Sequence, residues 1–257
     1  MTNNKQYTGV TVENKSAVVI GGTSGIGRGI VRAFANDGAN VIATSRSQEA
    51  VDEITAELQT EDTETTAVTC DITDRNSIEE LRDVAIDTFG QIDILVNSVS
   101  TTANTSILEM TDSQWDKSMD VFLKGTFRSC QIFAQAMDSG SIINISSMSA
   151  DQIRECRPAY CAAKSGVNGL TRAASADLAP EIRVNAISPG FVRTRATEER
   201  LSDGSSIREP IDDRTPMNRV ANPQEIAGAA IYLASDAASF TTGEIVTVDG
   251  GYDRSAL

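Results

Sequence analysis

The chain has 257 residues, 36 of them acidic and 22 basic, and its formal net charge of −14 argues against nucleic acid or an anionic membrane as a partner. It contains no histidine, which excludes Ser-His and Cys-His nucleophilic catalysis and every metal site that needs imidazole. Because 40% of the residues are apolar and no run of about 18 apolar residues occurs, we expect a globular, cytoplasmic protein without a bound metal.

The basic residues are mostly arginine. Only five of the 22 are lysine: Lys5, Lys15, Lys117, Lys124 and Lys164. An acidic, lysine-poor surface suits a cytoplasm rich in salt, where screening removes the self-repulsion of such a surface. We therefore hypothesise a salt-loving (halophilic) source, the alternative being an ordinary acidic bacterial protein. Equal stability from low to multimolar KCl would count against this hypothesis.

Short apolar segments rich in β-branched residues alternate along the chain with longer segments of helical periodicity. The predicted strands cover 17–20, 41–44, 67–70, 94–97, 142–146, 183–188 and 245–248. The predicted helices lie near 26–37, 48–59, 75–88, 112–137, 158–178 and 223–235, with Asp74 and Thr111 as N-caps of the third and fourth. Parallel strands need crossover connections, so this α/β alternation predicts a single doubly wound domain over residues 1–257, with helices on both faces of a parallel sheet.

The first predicted strand runs directly into a glycine-rich turn, Gly21-Gly22-Thr23-Ser24-Gly25-Ile26-Gly27, and then into a helix. Glycines allow the backbone to approach a pyrophosphate closely, and the amides and dipole of the helix N-terminus then face its negative charge. The spacing is looser than the G-x-G-x-x-G fingerprint, and a glycine-rich turn without a ligand is the alternative. We expect a dinucleotide site formed by Gly21, Thr23, Ser24, Gly25, Ile26 and Gly27.

The second predicted strand ends at Thr44-Ser45-Arg46. An NAD site usually has a carboxylate at this point for the ribose hydroxyls, whereas an arginine accommodates the 2′-phosphate of NADP. Because no acid is present, Ser45 and Arg46 predict NADP(H) in preference to NAD(H). The alternative is an exposed arginine at the start of the next helix.

Tyr160 and Lys164 are four residues apart in a predicted helix, and Ser147 follows the predicted strand 142–146. Residues at i and i+4 share a helix face, so the phenol and the ammonium can meet one ligand. A free phenol has a pKa of about 10, and an adjacent cation lowers it toward the range of a general acid/base. On its own, Tyr-x-x-x-Lys is more often an ordinary helix with a surface lysine, so its weight comes from the glycine turn upstream.

The segment 192–220 interrupts the alternation with charged residues and two prolines, and we expect it to be a substrate lid. Five arginines and six acids lie in its part 195–219, and Arg154 and Arg157 precede the tyrosine. An anionic substrate would suit these arginines. A solvated, charged loop in an acidic protein is the favoured alternative.

Together, these residues resemble the short-chain dehydrogenase/reductase family in its single-domain form. The resemblance covers residues 16–252 and includes the segments 182–190 and 248–251. It implies a seven-stranded parallel Rossmann sheet, a homotetramer or homodimer, and a small carbonyl or alcohol substrate. By resemblance, Asp71 would meet the adenine, Pro189 and Gly190 the nicotinamide, and Thr194 its carboxamide. The other cofactor-binding residues carried over are Ile72, Asn97, Tyr160, Lys164 and Val192.

The mechanism implied by the resemblance is hydride transfer between the nicotinamide and a substrate carbon. Ser147 would orient the substrate oxygen, and Tyr160 would transfer the proton. Lys164 would hold the ribose hydroxyls and, with the oxidised nicotinamide, lower the pKa of the tyrosine.

Three departures from the family pattern stand out. Where the family usually has Asn-Asn-Ala-Gly, the chain has Asn97-Ser98-Val99-Ser100. Where the family usually has an asparagine that helps hold a proton-relay water, the chain has Phe122, with Ser118 and Thr126 as possible substitutes. Ile20 stands at a usual threonine.

Two functions are therefore weighed. The first is an NAD(P)-dependent oxidoreductase acting on a secondary alcohol or ketone, such as a 3-oxoacyl thioester or a sugar. The alternative is a catalytically impaired relative that binds NAD(P)H as a sensor or assembly subunit. A lyase, isomerase or epimerase on the same scaffold is a third, weaker option.

Overall fold

The computed structural model describes residues 9–60, 63–101, 104–152 and 154–255. In these residues six strands form one parallel sheet in the order β2-β1-β3-β4-β5-β6. They are β1 (Ser16–Ile20), β2 (Asn40–Thr44), β3 (Ile94–Asn97), β4 (Gly140–Ile145), β5 (Ile182–Pro189) and β6 (Ile245–Val248). The chain winds outward from β1 in both directions, so a crevice opens beyond the carboxyl ends of β1 and β3.

Helices connect the strands. They are α1 (Gly25–Asn36), α2 (Gln48–Gln59), α3 (Arg75–Phe89), α4 (Asp112–Met119), α5 (Gly125–Ala134), α6 (Pro158–Leu178), α7 (Glu198–Leu201), α8 (Arg208–Arg214) and α9 (Pro223–Ala234). The predicted caps are confirmed, because the Asp74 side chain accepts from the Asn76 amide and Thr111 forms a capping box with Gln114.

Two apolar clusters cover the two faces of the sheet. Along β1 the side chains alternate, with Ala17 and Val19 in one cluster and Val18 and Ile20 in the other. The first cluster contains residues of α1 and α9, and the second contains residues of α3 and α5. This period of two in a fully buried strand is what a sheet covered on both faces requires, and the predicted doubly wound architecture is confirmed.

Two predicted elements differ from the structure. The segment 67–70 runs beside β2, but the hydroxyl of Thr44 donates to the Val68 carbonyl at 2.6 Å, and no regular ladder forms there in the described residues. The sheet thus has six regularly paired strands rather than seven. The single helix predicted over 112–137 is instead α4, a π-helical turn (Asp120–Lys124) and α5.

The segment 192–220 contains the short helices α7 and α8. Leu201, Ile211 and Val220 form a small apolar cluster, against which Phe191 packs. No helix in the described ranges is both long and apolar enough to cross a membrane.

Candidate active site

Two positions of the glycine turn after β1 admit only glycine. Gly21 has a φ of +82°, and a Cβ on it would lie 2.3 Å from the backbone oxygen of Ser98. A Cβ on Gly27 would lie 2.1 Å from the backbone oxygen of Gly21. Side chains at either position would collide with main chain that has no room to move, so the close packing explains the motif.

The start of α1 is open to an anion. Its N-cap, Ser24, makes no side-chain capping hydrogen bond, and no acidic residue lies in the first turn. The first amides of a helix have no partner within the helix, and they carry the positive end of its dipole. This end of α1 therefore fits a pyrophosphate.

A cleft of about 290 Å³ opens directly beside this turn. Seven residues predicted to bind the cofactor line it, namely Gly21, Thr23, Ser24, Ser45, Arg46, Asp71 and Ile72. Four loops that follow different strands or strand-like segments meet here, which is the usual place for a dinucleotide on such a sheet. The donors and the shape fit a nicotinamide dinucleotide.

Arg46 and Asp71 give the cleft one positive and one negative side chain. Asp71 accepts hydrogen bonds from the amide and the hydroxyl of Thr73, at 2.9 and 2.7 Å. Burial alone would raise the pKa of Asp71, but these two bonds and the charge of Arg46 outweigh it and hold the pKa below its ordinary value. Arg46 itself is exposed and forms no ion pair with a described carboxylate.

Lys164 is buried in α6, with only 4% of its surface exposed. Its Nζ donates to the carbonyl oxygen of Ile145 at 2.6 Å and lies 4.8 Å from the centroid of the Phe122 ring. Burial lowers the pKa of Lys164 to about 7. A surface lysine has none of these properties, so the alternative of an ordinary helix with a solvated lysine does not hold.

Tyr160 lies one turn before Lys164, and its ring packs edge-on against Phe122 with centroids 5.1 Å apart. Burial raises the pKa of the phenol. The Ser147 hydroxyl and the charges of Arg157 and Arg154 oppose this rise without reversing it. Structure therefore brings Ser147, Tyr160 and Lys164 together, as predicted.

The expectation that Lys164 lowers the pKa of the tyrosine is not met within the chain itself. With a pKa of about 7, the lysine carries only part of a positive charge at neutral pH. Its Nζ also lies 5.9 Å from the centroid of the phenol ring. The nearest full charge is the Arg157 guanidinium, whose carbon lies 5.4 Å from the same centroid.

Phe122 occupies the π-helical turn between α4 and α5, a feature that often marks functional sites. The ring is 1% exposed and touches both Tyr160 and Lys164. Ser118 and Thr126, the proposed substitutes for a relay side chain, do not direct their hydroxyl protons toward Phe122 or Lys164. Ser118 donates to the Gln114 carbonyl and Thr126 to the Phe122 carbonyl, so both hydroxyl protons are used within the helices.

Asn97 was predicted to bind the cofactor, but its side chain is buried in the core. It donates to Asn144 at 2.9 Å and accepts from Ser129 at 2.6 Å. The cleft is lined instead by the next three residues, 98–100. Asn97 therefore acts as an anchor for the end of β3, and the backbone beyond it meets the ligand site.

The remaining predicted residues lie around the end of β5. Pro189 ends this strand, and a Cβ on Gly190 would lie 2.7 Å from the Asp249 side chain. Thr194 reaches the glycine turn, since its methyl carbon would lie 3.4 Å from a Cβ on Gly25. Val192 pairs with Ala221 in an isolated bridge, and Ile26 packs on the core beneath the turn.

The sequence did not reveal Ser47, Cys70 and Val121 as lining residues of the cleft. Cys70 directly precedes Asp71, so its position at the end of a strand-like segment was a usable signal. Val121 lies in the π-helical turn, whose register a helical periodicity does not predict.

The chain is similar in sequence to known reductases over most of its length. A family model described as enoyl-(acyl carrier protein) reductase matches residues 21–253. The 3-oxoacyl-[acyl-carrier-protein] reductase FabG of Thermotoga maritima is 35% identical over 244 residues, covering 93% of this chain and 98% of that protein.

Two solved structures extend the likeness to relatives with bound cofactors. A 7α-hydroxysteroid dehydrogenase complexed with NADH and 7-oxo glycochenodeoxycholic acid has a TM-score of 0.89 and 31% identity, covering 94% of this chain and 95% of that chain. A variant of actinorhodin polyketide ketoreductase with NADPH has a TM-score of 0.87 and 31% identity, covering 93% and 97%. The chain belongs to the short-chain dehydrogenase/reductase family of oxidoreductases.

Proposed function

We propose that the protein is an NAD(P)-dependent oxidoreductase that transfers a hydride between the nicotinamide cofactor and a secondary alcohol or ketone. The observation that carries the proposal is the buried Lys164, which donates to the Ile145 carbonyl at the end of β4 and lies beside Tyr160 and Ser147. Burying a lysine without a carboxylate partner is unfavourable, and a fold tolerates such a group most readily where it acts.

In this proposal Ser147 and Tyr160 hold the substrate oxygen, and Tyr160 gives its proton to that oxygen during reduction. A raised phenol pKa favours the protonated form, which is the form that donates. The nicotinamide, when bound, supplies or accepts the hydride. Lys164 would hold the ribose hydroxyls, and the Ile145 carbonyl and the Phe122 ring hold its amino group in position.

The preferred cofactor is NADP(H). Arg46 lies in the cleft at the end of β2, where it can bind a 2′-phosphate, and no acidic residue occupies the neighbouring positions. We expect wild-type protein to bind NADPH at least about 10-fold more tightly than NADH, since a charge-assisted contact contributes that much. Arg46→Asp should reverse the order. Titration of both cofactors measures this preference, and Arg172→Asp, which alters an exposed arginine of α6, is the control. Equal dissociation constants in the wild type would contradict the preference.

A second candidate function is a binding protein with impaired catalysis, and Phe122 is the observation that favours it. The ring closes the site around Lys164 on one side and carries no hydrogen-bonding group. A panel of ketones, 3-oxoacyl thioesters and sugars with NADPH and NADH, in low and high KCl, discriminates between the two functions. We expect turnover by the wild type and an increase of up to about 10²-fold in Phe122→Asn if a proton relay limits the rate. Binding of cofactor without turnover in both proteins would favour the second function.

Three further properties belong to the proposal. The segment 192–220 would act as a substrate lid, because its short helices follow the Pro189-Gly190 turn and pack on Phe191. The protein would be a cytoplasmic homotetramer or homodimer, which the exposed Trp115 and Phe127 on α4 and α5 support. Sedimentation in high KCl tests the assembly.

A further inference from the structure

Two arginines lie beside Tyr160 and the residue that follows Gly190. The guanidinium carbon of Arg157 is 5.4 Å from the Tyr160 ring centroid, and that of Arg154 is 4.9 Å from the centroid of Phe191, the residue after Gly190. Burial lowers the pKa of Arg154, and the charge of Arg157 lowers it further, so the two charges repel each other. We call Arg154 and Arg157 the arginine cluster.

No residue of the arginine cluster forms an ion pair with a carboxylate in the described part of the chain. Other arginines of the same region are either paired with a carboxylate or, like Arg195, Arg200 and Arg214, exposed to solvent. Arg193 contacts Asp203 at 3.1 Å, Arg208 contacts Asp212 at 2.7 Å, and Arg219 contacts Glu225 at 2.6 Å. In a chain with 36 acidic residues, carboxylates are abundant, so two neighbouring half-buried arginines without one require an explanation.

The ion pairs distinguish between the two interpretations of these arginines, a solvated, charged loop and a site for an anionic substrate. A solvated, charged loop accounts for the paired arginines, whose partners lie within the loop or at the start of α9. It does not account for the arginine cluster, because Arg154 and Arg157 are half-buried, and burial lowers the pKa of Arg154 even before the repulsion of Arg157 is counted. Like charges held together at partial burial are stabilised by an anion between them.

Aromatic rings hold the cluster in place at the side of the substrate position. Arg154 stacks on Phe191, which packs edge-on against Tyr252 with centroids 5.2 Å apart. Arg157 stacks on Tyr160 itself. Planar guanidinium groups that are fixed by stacking lose little freedom when they bind a carboxylate with two parallel hydrogen bonds. The cluster is therefore arranged in advance for a planar anion near the reacting carbon.

We propose that Arg154 and Arg157 bind the carboxylate of a small oxo or hydroxy acid whose reacting carbon lies at Ser147 and Tyr160. This assignment rests on the proposed oxidoreductase function and names its substrate class. Because Arg157 and Tyr160 are neighbours, the carboxylate and the reacting carbon are separated by a short linker. The acid is reduced to the corresponding hydroxy acid by one hydride from the cofactor and one proton from Tyr160, or oxidised by the reverse step.

The test compares short oxo acids with their methyl esters, which keep the ketone and lose the charge. With wild-type enzyme we expect kcat/KM for an acid to exceed that for its ester by about 10- to 100-fold, the usual effect of losing a charged hydrogen bond. Arg154→Gln and Arg157→Gln should abolish this preference, and the loss should appear in KM for the acid. Arg172→Gln, an exposed arginine of α6, is the matched control and should keep the preference.

Each other outcome overturns the assignment. Equal kcat/KM for acid and ester in the wild type would show that the cluster does not bind the substrate, and so would equal losses on both compounds in the variants. Turnover of neutral ketones alone would refute the anionic substrate and leave the oxidoreductase function intact. No turnover of any compound, with cofactor binding retained, would remove the oxidoreductase function and this assignment with it. Both variants are evaluated only by the acid-to-ester ratio, because Arg154 and Arg157 also favour the Tyr160 phenolate.

Discussion

Replacing Tyr160 with phenylalanine should lower kcat by about 10²- to 10⁴-fold, the range that a positioned general acid contributes. The substitution removes one oxygen atom and keeps the ring, so the edge-on contact with Phe122 is retained. The Ser147 hydroxyl cannot take over the proton transfer efficiently, because it is far less acidic than a phenol and its oxygen already accepts from the Ser149 amide at 3.1 Å. We therefore expect the loss to appear in catalysis rather than in folding.

Three measurements separate these effects: single-turnover rate, NADPH dissociation constant and denaturation midpoint. We expect only the rate to change in Tyr160→Phe. Tyr232→Phe is the matched control, because its hydroxyl pairs with Thr241 at 3.0 Å on the surface of α9, away from the site. Retention of most of the wild-type rate by Tyr160→Phe would disprove the role of the phenol.

Most of the fold could be predicted because the signal is repeated along the chain. Each strand is a short apolar run and each connection a helical pattern, so the alternation defines the parallel sheet even where individual boundaries shift. The segment 67–70 shows the limit of this reasoning. Its apolar composition predicts a strand. In the structure the Val68 carbonyl accepts from the Thr44 hydroxyl, and a contact with a residue so far away in the chain cannot be predicted from local composition.

Residues of the site could be predicted where the chemistry is local in the chain. The glycine turn and the Tyr160–Lys164 spacing each lie within a few residues, and the turn sits beside Ser98 in a way that only glycine permits. Properties that depend on distant partners could not be predicted. The raised pKa of Tyr160 follows from its burial, and the buried hydrogen bond from Asn97 to Asn144 joins the neighbouring strands β3 and β4.

The arginines illustrate the same limit more sharply. By sequence, Arg193, Arg200 and Arg208 are equivalent members of one charged segment. Structure distinguishes them, since Arg193 and Arg208 share Asp203, whereas Arg200 forms no ion pair with a described carboxylate. Composition predicts a solvated loop for all of them, and only the structure shows which of these charges are neutralised within the chain.

The second large effect concerns Lys164, for which we expect Lys164→Met to reduce activity and increase stability at the same time. Burial lowers the pKa of this lysine from 10.5 to about 7. Between these two values the unfolded chain binds more protons than the folded one, so the stability of the wild type should rise with pH in that range. Below pH 7 the full cost of burying the lysine is present, about 3 to 5 kcal/mol by linkage.

Methionine keeps much of the side-chain volume and removes this cost, but it leaves the Ile145 carbonyl without its donor, which costs about 1 to 3 kcal/mol. Denaturant unfolding at constant KCl should therefore show Lys164→Met to be more stable than wild type by about 2 kcal/mol near pH 6.5, with the difference vanishing at about pH 9 and reversing above it. Lys124→Met, which alters a half-exposed lysine paired with Asp120, should show no such pH-dependent gain. If Lys164→Met were less stable than wild type at pH 6.5, the lysine would be stabilised where it lies, and its burial would no longer mark a group retained for function at the expense of stability.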